Sequence, residues 1–393
     1  MKIGIFTEAY SPLISGVVTS INNLKDGLEA LGHEVYVITP YAPKQKYEFN
    51  PSVIRLKGFP IPKKSLKGFR LVFFTRRHLR KIKALNLDII HIHTEFSMGR
   101  LGLHAAKKFN LPVCYTVHTS YQDYTHHISK FMTKFTPRLA KKIAFMINNK
   151  FTKKADITIV PTKKIYDKMI NLKHKGTFTI VPTGIDLEPF YQENHKKEDV
   201  IKLREFYNIK DDEFVALLVS RIAREKSIND LVDAFTEFHK TNPKSKFYII
   251  GDGPDKNLLD QHIKKLKAND FIITLGFITY DKVPLYYQMA DVFLNASTTE
   301  TQGLTYIEAL AASLPIIVRK DEVFEDFVIN NENGIFFEKT EELTEILLKV
   351  YNNGTLKKLT ENARDSVLKY SKENYAKNLE SLYQDLIDKK QLK

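Results

Sequence analysis

Short runs of β-branched and apolar residues alternate along this chain with longer stretches whose apolar positions recur at helical spacing. In the first half the runs occupy residues 3–6, 35–38, 89–93, 113–117, 157–160 and 178–181; in the second they occupy 214–219, 247–250, 271–275, 292–295, 316–319 and 335–337. Runs of this kind suit buried strands, and the amphipathic stretches between them supply the covering helices. The pattern predicts an α/β protein of two Rossmann-like βαβ series.

Residues 188–212 interrupt the alternation with a polar, charged segment that reads as a linker followed by a short helix. The expected units are residues 1–195 and 196–370. Beyond them Tyr375, Leu379, Leu382, Tyr383 and Leu386 stand at helical spacing. They predict a terminal amphipathic helix within 371–393 that crosses back onto the first unit.

A length of 393 residues fits two domains, and 43% hydrophobic with 27% charged residues is ordinary for a globular protein. Cys114 is the single cysteine, which excludes a disulfide framework or a cysteine-based metal site within one chain. The first residues run straight into a strand without the apolar core of a secretory peptide, and no apolar run approaches membrane-spanning length. The expectation is a cytoplasmic protein that lies on a membrane without crossing it.

Charge changes the picture. The net charge is +14, but residues 1–190 hold 31 Lys and Arg against 12 Asp and Glu, while the remainder holds 29 against 34. Such a field draws the first half toward phosphate-rich partners, either nucleic acid or anionic lipid. The absence of a recognised nucleic-acid module favours lipid.

In doubly wound sheets ligands sit at the carboxyl ends of strands, so the loops after the strands are where chemistry is sought. After the first strand, Gly16 opens a helix and lets backbone amides approach a phosphate, although a plain turn glycine reads the same way. After residues 214–219, Arg221 and Lys226 are placed to neutralise a diphosphate leaving group, or they are a solvated basic helix start. Gly251-Asp252-Gly253-Pro254 reads as a structural turn. After residues 292–295, Glu300 falls in the loop and Glu308 in the following helix, with Gly303 at the junction. Amides of Gly303, Leu304 and Thr305 would then face a phosphate; the plainer alternative is an acidic pair that favours the helix dipole. His118 closes the strand at 113–117, where it can reach a substrate hydroxyl, although most lone histidines are hydrogen-bonded structure. His91, His93 and Glu95 share a strand face, and packing is favoured there over a metal cluster.

As a set these residues resemble the retaining family-4 glycosyltransferases of the GT-B fold, two Rossmann-like domains facing a central cleft. The resemblance spans nearly the whole chain and is carried by Gly16, His118, Thr183-Gly184-Ile185-Asp186, Arg221 with Glu225-Lys226, the turn at residues 251–254, and the Glu300 and Glu308 pair. The first and fourth motifs look like those of the bacterial branch that glucosylates diacylglycerol. The resemblance implies that Arg221 and Lys226 hold the donor diphosphate with help from the Gly16 amide, and that Glu308 binds the ribose. It further implies that Glu300 and His118 hold hydroxyls of the donor sugar, that the amides of Gly303, Leu304 and Thr305 complete the pocket, and that the loop through Ile278 holds the base. UDP-glucose is the implied donor, diacylglycerol the implied acceptor, and retention the implied outcome. Two departures stand out: Ser15 replaces the first glycine of the family's usual pair, and Thr301 stands where Phe or Pro is usual. No Asp-x-Asp metal motif occurs, no tightly bound cofactor is expected, and free Mg2+ enters only as an assisting ion. A transferase acting on another lipid or a polysaccharide, and a sugar-nucleotide epimerase of the same fold, are the alternatives.

Residues 63–83 carry nine basic side chains and no acidic one: Lys63, Lys64, Lys67, Arg70, Arg76, Arg77, Arg80, Lys81 and Lys83. On a helix from about Phe69, that residue, Phe73, Leu79 and Ile82 would lie broadly to one side, which is the composition of an interfacial anchor. A second acid-free span, residues 124–155, sets eight basic residues among Phe131, Met132, Phe135, Phe145 and Met146. It is expected to line the acceptor side, and for either span the alternative is a core-facing helix with a solvated basic back.

Overall fold

The computed structural model describes residues 1–13, 15–41, 49–60, 70–73, 75–118, 137–352 and 355–392. Two compact units divide the chain: Met1–Ile185 together with Lys372–Lys393, and Asp186–Ser371.

The first unit is built on β1 (Lys2–Phe6), β2 (Glu34–Pro40), β3 (Val53–Leu56), β4 (Phe59–Pro60), β5 (Arg70–Leu71), β6 (Ile89–Ile92), β7 (Val113–Thr116), β8 (Ile157–Val160) and β9 (Phe178–Ile180). Seven of these form one parallel sheet in the order β3-β2-β1-β6-β7-β8-β9. All six strands expected from the pattern are present. The edge strand β3 is an addition; its four residues are mostly half-buried and include Arg55, so they lack the apolar signature of the central strands. One sheet face packs under the helix Gly16–Ala30 and the terminal helix Lys372–Gln391, whose Tyr375, Leu379 and Tyr383 bury against Ile3, Ile5 and Cys114.

The second unit carries β10 (Phe214–Val219), β11 (Ser245–Ile250), β12 (Ile272–Gly276), β13 (Val292–Asn295), β14 (Ile316–Arg319) and β15 (Gly334–Phe337), parallel throughout in the order β12-β11-β10-β13-β14-β15. The order reverses between β1 and β6 in the first sheet and between β10 and β13 in the second, and such switch points open a crevice at the strand ends.

Two expectations are corrected here. The boundary falls at Ile185 and not near residue 195, because Phe190 is fully buried in the second unit, with ring centroids 6.1 Å from Tyr280 and 5.6 Å from Tyr287. The segment that read as a linker is held there too, by an ion pair of Arg364 with Glu193 at 2.6 Å and by the Arg364 guanidinium 3.5 Å from the Tyr191 ring centroid. The basic helix does not begin near Phe69: β5 pairs antiparallel with β4, and the helix is Arg76–Lys83. The Arg70 guanidinium donates to the Gly58 carbonyl at 2.7 Å, and the Thr75 hydroxyl caps the helix by accepting from the His78 amide at 3.2 Å. Among the described residues no helix is long and apolar enough to cross a membrane.

Candidate functional site

In the second unit the motif loops flank the switch point. After β10 the chain enters a single 3-10 turn, Arg224–Lys226, that ends at Ser227 with a left-handed φ of 48°. Its path is set by the loop after β11: a Cβ on Gly251 would stand 1.9 Å from the Ser220 carbonyl oxygen, and one on Gly253 would stand 2.1 Å from that of Ile222. Both glycines are therefore structural, and what they shape is the loop that carries Arg221. After β13, the Asn295 side chain accepts from the Ser297 amide at 2.9 Å, and the Thr298 amide donates to the Glu225 carbonyl at 3.4 Å, which ties the two loops together. Lys226 and Glu300 consequently meet across 74 positions of sequence, Nζ to Oε1 at 2.5 Å, each side chain 13% exposed. Arg221 pairs with Glu225 and keeps 41% of its side chain exposed. The arrangement presents an ammonium and a guanidinium beside one strand end, with a carboxylate already held against the ammonium.

The helix Leu304–Ala311 follows Gly303, whose φ of 78° is left-handed and whose added Cβ would lie 2.8 Å from the Phe324 ring. Gly303 has no side chain with which to cap this helix start. Glu308 lies buried in the same helix. Its two oxygens accept from the hydroxyls of Tyr280 at 3.1 Å and Tyr287 at 2.9 Å. Burial pushes its carboxyl up to about 7 while the two hydroxyls pull it back; burial and the facing carboxylate hold both phenols well above their ordinary range. Ile278 is half-buried in the loop after β12, next to Phe277, which is exposed. Tyr280 and Tyr287 escaped the sequence reading. They belong to no motif, and their only signal is that they lie in the connection between the Ile278 loop and β13.

In the first unit Gly16 is the first helical residue, and an added Cβ there would meet nothing within 4 Å. Ser15, at the departure from the family's glycine pair, accepts from the Val18 amide at 3.4 Å and so serves as the N-cap. His118 is half-buried at the end of β7, with Nε2 2.7 Å from Nδ1 of His93. Burial brings it down to about 4, so it is neutral at pH 7.

Of the basic segment, Lys63, Lys64, Lys67 and Phe69 lie outside the described residues. In the helix Arg76–Lys83 the apolar stripe is inward: Leu79 and Ile82 join the core with His78, while Arg76, Arg77, Arg80, Lys81 and Lys83 are exposed. Phe73 is 60% exposed, and its ring centroid is 5.4 Å from that of Phe59, itself 65% exposed. The exposed apolar element is thus the β4 and β5 ribbon with Phe73, next to the cationic helix and not on it. In the second acid-free span Phe131, Met132 and Phe135 lie outside the described residues; Phe145 packs on the His174 ring at 4.4 Å and Met146 is 57% exposed. No group of metal-ligating side chains is assembled among the described residues.

Known proteins match each half of the chain. The profile described as Glycosyltransferase Family 4 matches residues 14–189, and that of Glycosyl transferases group 1 matches residues 199–366. The alpha-monoglucosyldiacylglycerol synthase of Acholeplasma laidlawii is 63% identical over 99% of this chain and 98% of its own length. The protein of the same name from Streptococcus pneumoniae is 34% identical over 98% of this chain and 86% of its own. Among solved structures, sucrose-phosphate synthase from Thermosynechococcus elongatus superposes with a TM-score of 0.77 at 20% identity, covering 98% of this chain and 99% of the other. Anabaena HepE, solved in complex with UDP-glucose, superposes with a TM-score of 0.73 at 16% identity over 98% and 100%. The fold is that of the GT-B glycosyltransferases, and the chain is a glycosyltransferase that belongs to the family of the alpha-monoglucosyldiacylglycerol synthases.

Proposed function

We propose that this enzyme transfers glucose from UDP-glucose to 1,2-diacylglycerol, with retention, at the anionic cytoplasmic face of the cell membrane, and so makes alpha-monoglucosyldiacylglycerol. The observation that carries the reading is the 63% identity, nearly end to end, with the Acholeplasma laidlawii synthase. The donor draws further support from the fold shared with a protein solved with UDP-glucose and from the two cations beside the β10 end.

In this reading Arg221 and Lys226 lie against the donor diphosphate. The bond between the anomeric carbon and the phosphate oxygen breaks, and the charge that develops on the leaving diphosphate is met by the two cations. The acceptor hydroxyl adds to the same face of the sugar and its proton passes to the departing phosphate oxygen, so that UDP and the glucolipid are the products. The pairing of Lys226 with Glu300 has a purpose here: it fixes both side chains before the donor arrives, so the ammonium can turn to the phosphate while the carboxylate accepts a sugar hydroxyl. Glu308 in its ionised form accepts from the ribose hydroxyls. Gly16 and the amides of Gly303, Leu304 and Thr305 donate to phosphate and sugar oxygens, the backbone near Ile278 contacts the base, and His118 contacts a sugar hydroxyl. The exposed Arg76, Arg77, Arg80, Lys81 and Lys83, with Arg70 and Phe73, hold the first unit to anionic lipid, each cation contributing roughly 1 kcal/mol.

The test is incubation of the purified chain with labelled UDP-glucose and diacylglycerol in mixed micelles, with and without anionic phospholipid, followed by separation of the lipids. A labelled monoglucosyl lipid that requires anionic phospholipid is expected. Free labelled sugar or a labelled sugar nucleotide as the only product would overturn the acceptor, and equal yield without anionic lipid would overturn the membrane reading.

A further inference from the structure

A cleft of about 680 Å³ opens in the first unit, lined by the helix Ser97–Phe109 and the helix Pro137–Thr152. Leu103, Ala106 and Leu111 give it an apolar floor, and each is buried or half-buried. Val113, which opens β7, and Asp156, which directly precedes β8, place it at the amino ends of the strands. Gly16 and His118 follow the carboxyl ends of theirs, where a doubly wound sheet holds its substrates. The cleft is therefore at the opposite edge of the parallel sheet from them.

Five cations line it. Arg100 and Lys107 stand on one stripe of the helix Ser97–Phe109, with His104 between them. Lys150 is in the last turn of the helix Pro137–Thr152, Lys154 lies just beyond it, and Lys390 comes from the last turn of the terminal helix. Among the described residues none of these five is in an ion pair. Exposed lysines elsewhere in the chain do find carboxylates, as Lys163 does with Asp167 at 2.5 Å and Lys256 with Asp260 at 2.7 Å. The one carboxylate in the lining, Asp156, already accepts from the Val113 amide at 2.8 Å.

The plainest role for such cations is to offset helix dipoles, and Lys107, Lys150 and Lys390 do sit in last turns. That role covers only part of the charge. A helix C-terminus is equivalent to about half a negative charge, so three of them together with Asp156 answer roughly half of the five positive charges. Arg100 has no such role at all: it stands in the first turn of its helix, where the dipole is positive and disfavours a cation. The unanswered charge faces a recess of the volume usual for a small-molecule site. Arg100 and Lys107 are also about 10 Å apart along the helix axis, which suits a ligand with more than one phosphoryl group.

We propose that this cleft is a second anion site, separate from the donor site, that takes a ligand carrying more than one phosphoryl group. Arg100 supplies a planar fork for one group and the four lysines supply point charges for the others. The phosphoryl groups can come from a free polyphosphate ester or from the headgroups of anionic lipid, since the recognising chemistry is the same. Lys390 makes the terminal helix part of the site, so an occupant ties the end of that helix to the two helices that form the walls.

The experiment is a calorimetric titration of inorganic pyrophosphate into the full chain and three variants. Binding should survive in Lys226→Ala, which alters only the donor cations. It should weaken about tenfold when Lys107, Lys150 and Lys154 are all replaced by Gln, the combined effect of three exposed charge contacts. Replacing Arg76, Arg77 and Arg80 by Gln removes as much charge from the same unit and should leave binding as in the parent. No binding to the parent overturns the site. So does binding that is lost in Lys226→Ala and kept in the cleft variant, because the pyrophosphate would then lie in the donor site. Equal weakening in the two triple variants overturns it as well, because only the overall field would then be at work. The source is read by flotation on vesicles of phosphatidylglycerol in phosphatidylcholine, with sulfate at equal ionic strength as the control. Pyrophosphate that releases the parent and not the cleft variant upholds the site as one for headgroups; release of neither, with the calorimetric result as expected, upholds it as one for a free ester.

Discussion

The two units use the same parallel α/β scaffold and treat charge in opposite ways. Three cations near the strand ends of the second unit are matched locally: Lys226 lies on Glu300, Arg221 on Glu225, and Arg319 on Asp230 at 2.7 Å. The helix Arg76–Lys83 of the first unit instead puts five cations on its exposed side, in a segment that contains no acidic residue. Matched pairs spend attraction internally and fix geometry, which suits a small ligand that must be placed to a fraction of an ångström. Unmatched exposed charge fixes nothing but reaches out over about a Debye length, which suits an extended anionic surface. Under the proposed function the matched pairs serve the donor diphosphate and the exposed cations serve adhesion.

The contrast can be broken by substitution. Lys226→Ala should lower kcat by on the order of 10³, the scale seen when a preorganised stabiliser of developing charge is removed, and should leave vesicle binding intact. Replacing Arg76, Arg77, Arg80 and Lys81 with Gln should do the reverse, weakening binding to anionic vesicles by on the order of 10² while turnover on micelle-dissolved substrate persists. Flotation assays paired with turnover measurements read both effects. If each variant loses both properties together, the division between the units is wrong.

A smaller effect sharpens it through pH. Because Glu308 is pushed up to about 7, it is protonated below that value and, in the proposed ribose contact, would accept poorly from the hydroxyls. UDP-glucose affinity should therefore rise with pH, change by up to about tenfold per unit below 7, and level off above. The sign for stability is opposite. The folded unit keeps a proton that an unfolded carboxyl with its ordinary value of 4.5 would release, so stability falls as pH rises from 4.5 to about 7. Donor titrations at several pH values check the first, and urea midpoints check the second. The smallest expected change is in Gly303→Ala, destabilised by about 1–2 kcal/mol from its left-handed φ alone and more from the contact with Phe324, measurable as a lowered urea midpoint.

Much of this was legible in the chain. The buried strands declare themselves as short apolar runs, since a strand covered on both faces has no polar side to show. The strand-end motifs named Arg221, Lys226, Glu300 and Glu308 because loops after strands are where a doubly wound sheet holds ligands. What stayed hidden depends on contact between distant positions. Nothing local to Lys226 announces Glu300, and nothing in the Glu308 motif announces Tyr280 and Tyr287. The basic segment misled for a different reason. Its composition fits an interfacial helix, but pairing of Arg70 and Leu71 with Phe59 and Pro60 is decided by a neighbouring strand, and the inward turn of Leu79 and Ile82 is decided by the core they meet. His91 and His93 were visible as alternate residues of one strand face; their partner Tyr383 is 292 positions from His91 and could be joined to them only by the fold.

The most direct test of the central claim is a calorimetric titration of UDP-glucose into Lys226→Ala beside the parent. The account predicts that the parent and the Arg76, Arg77, Arg80 and Lys81 variant bind the donor alike, while Lys226→Ala binds at least tenfold more weakly. Parent-like donor binding by Lys226→Ala would contradict it, because the Lys226 and Glu300 pair would then be a strut of the second unit and the diphosphate would be held elsewhere.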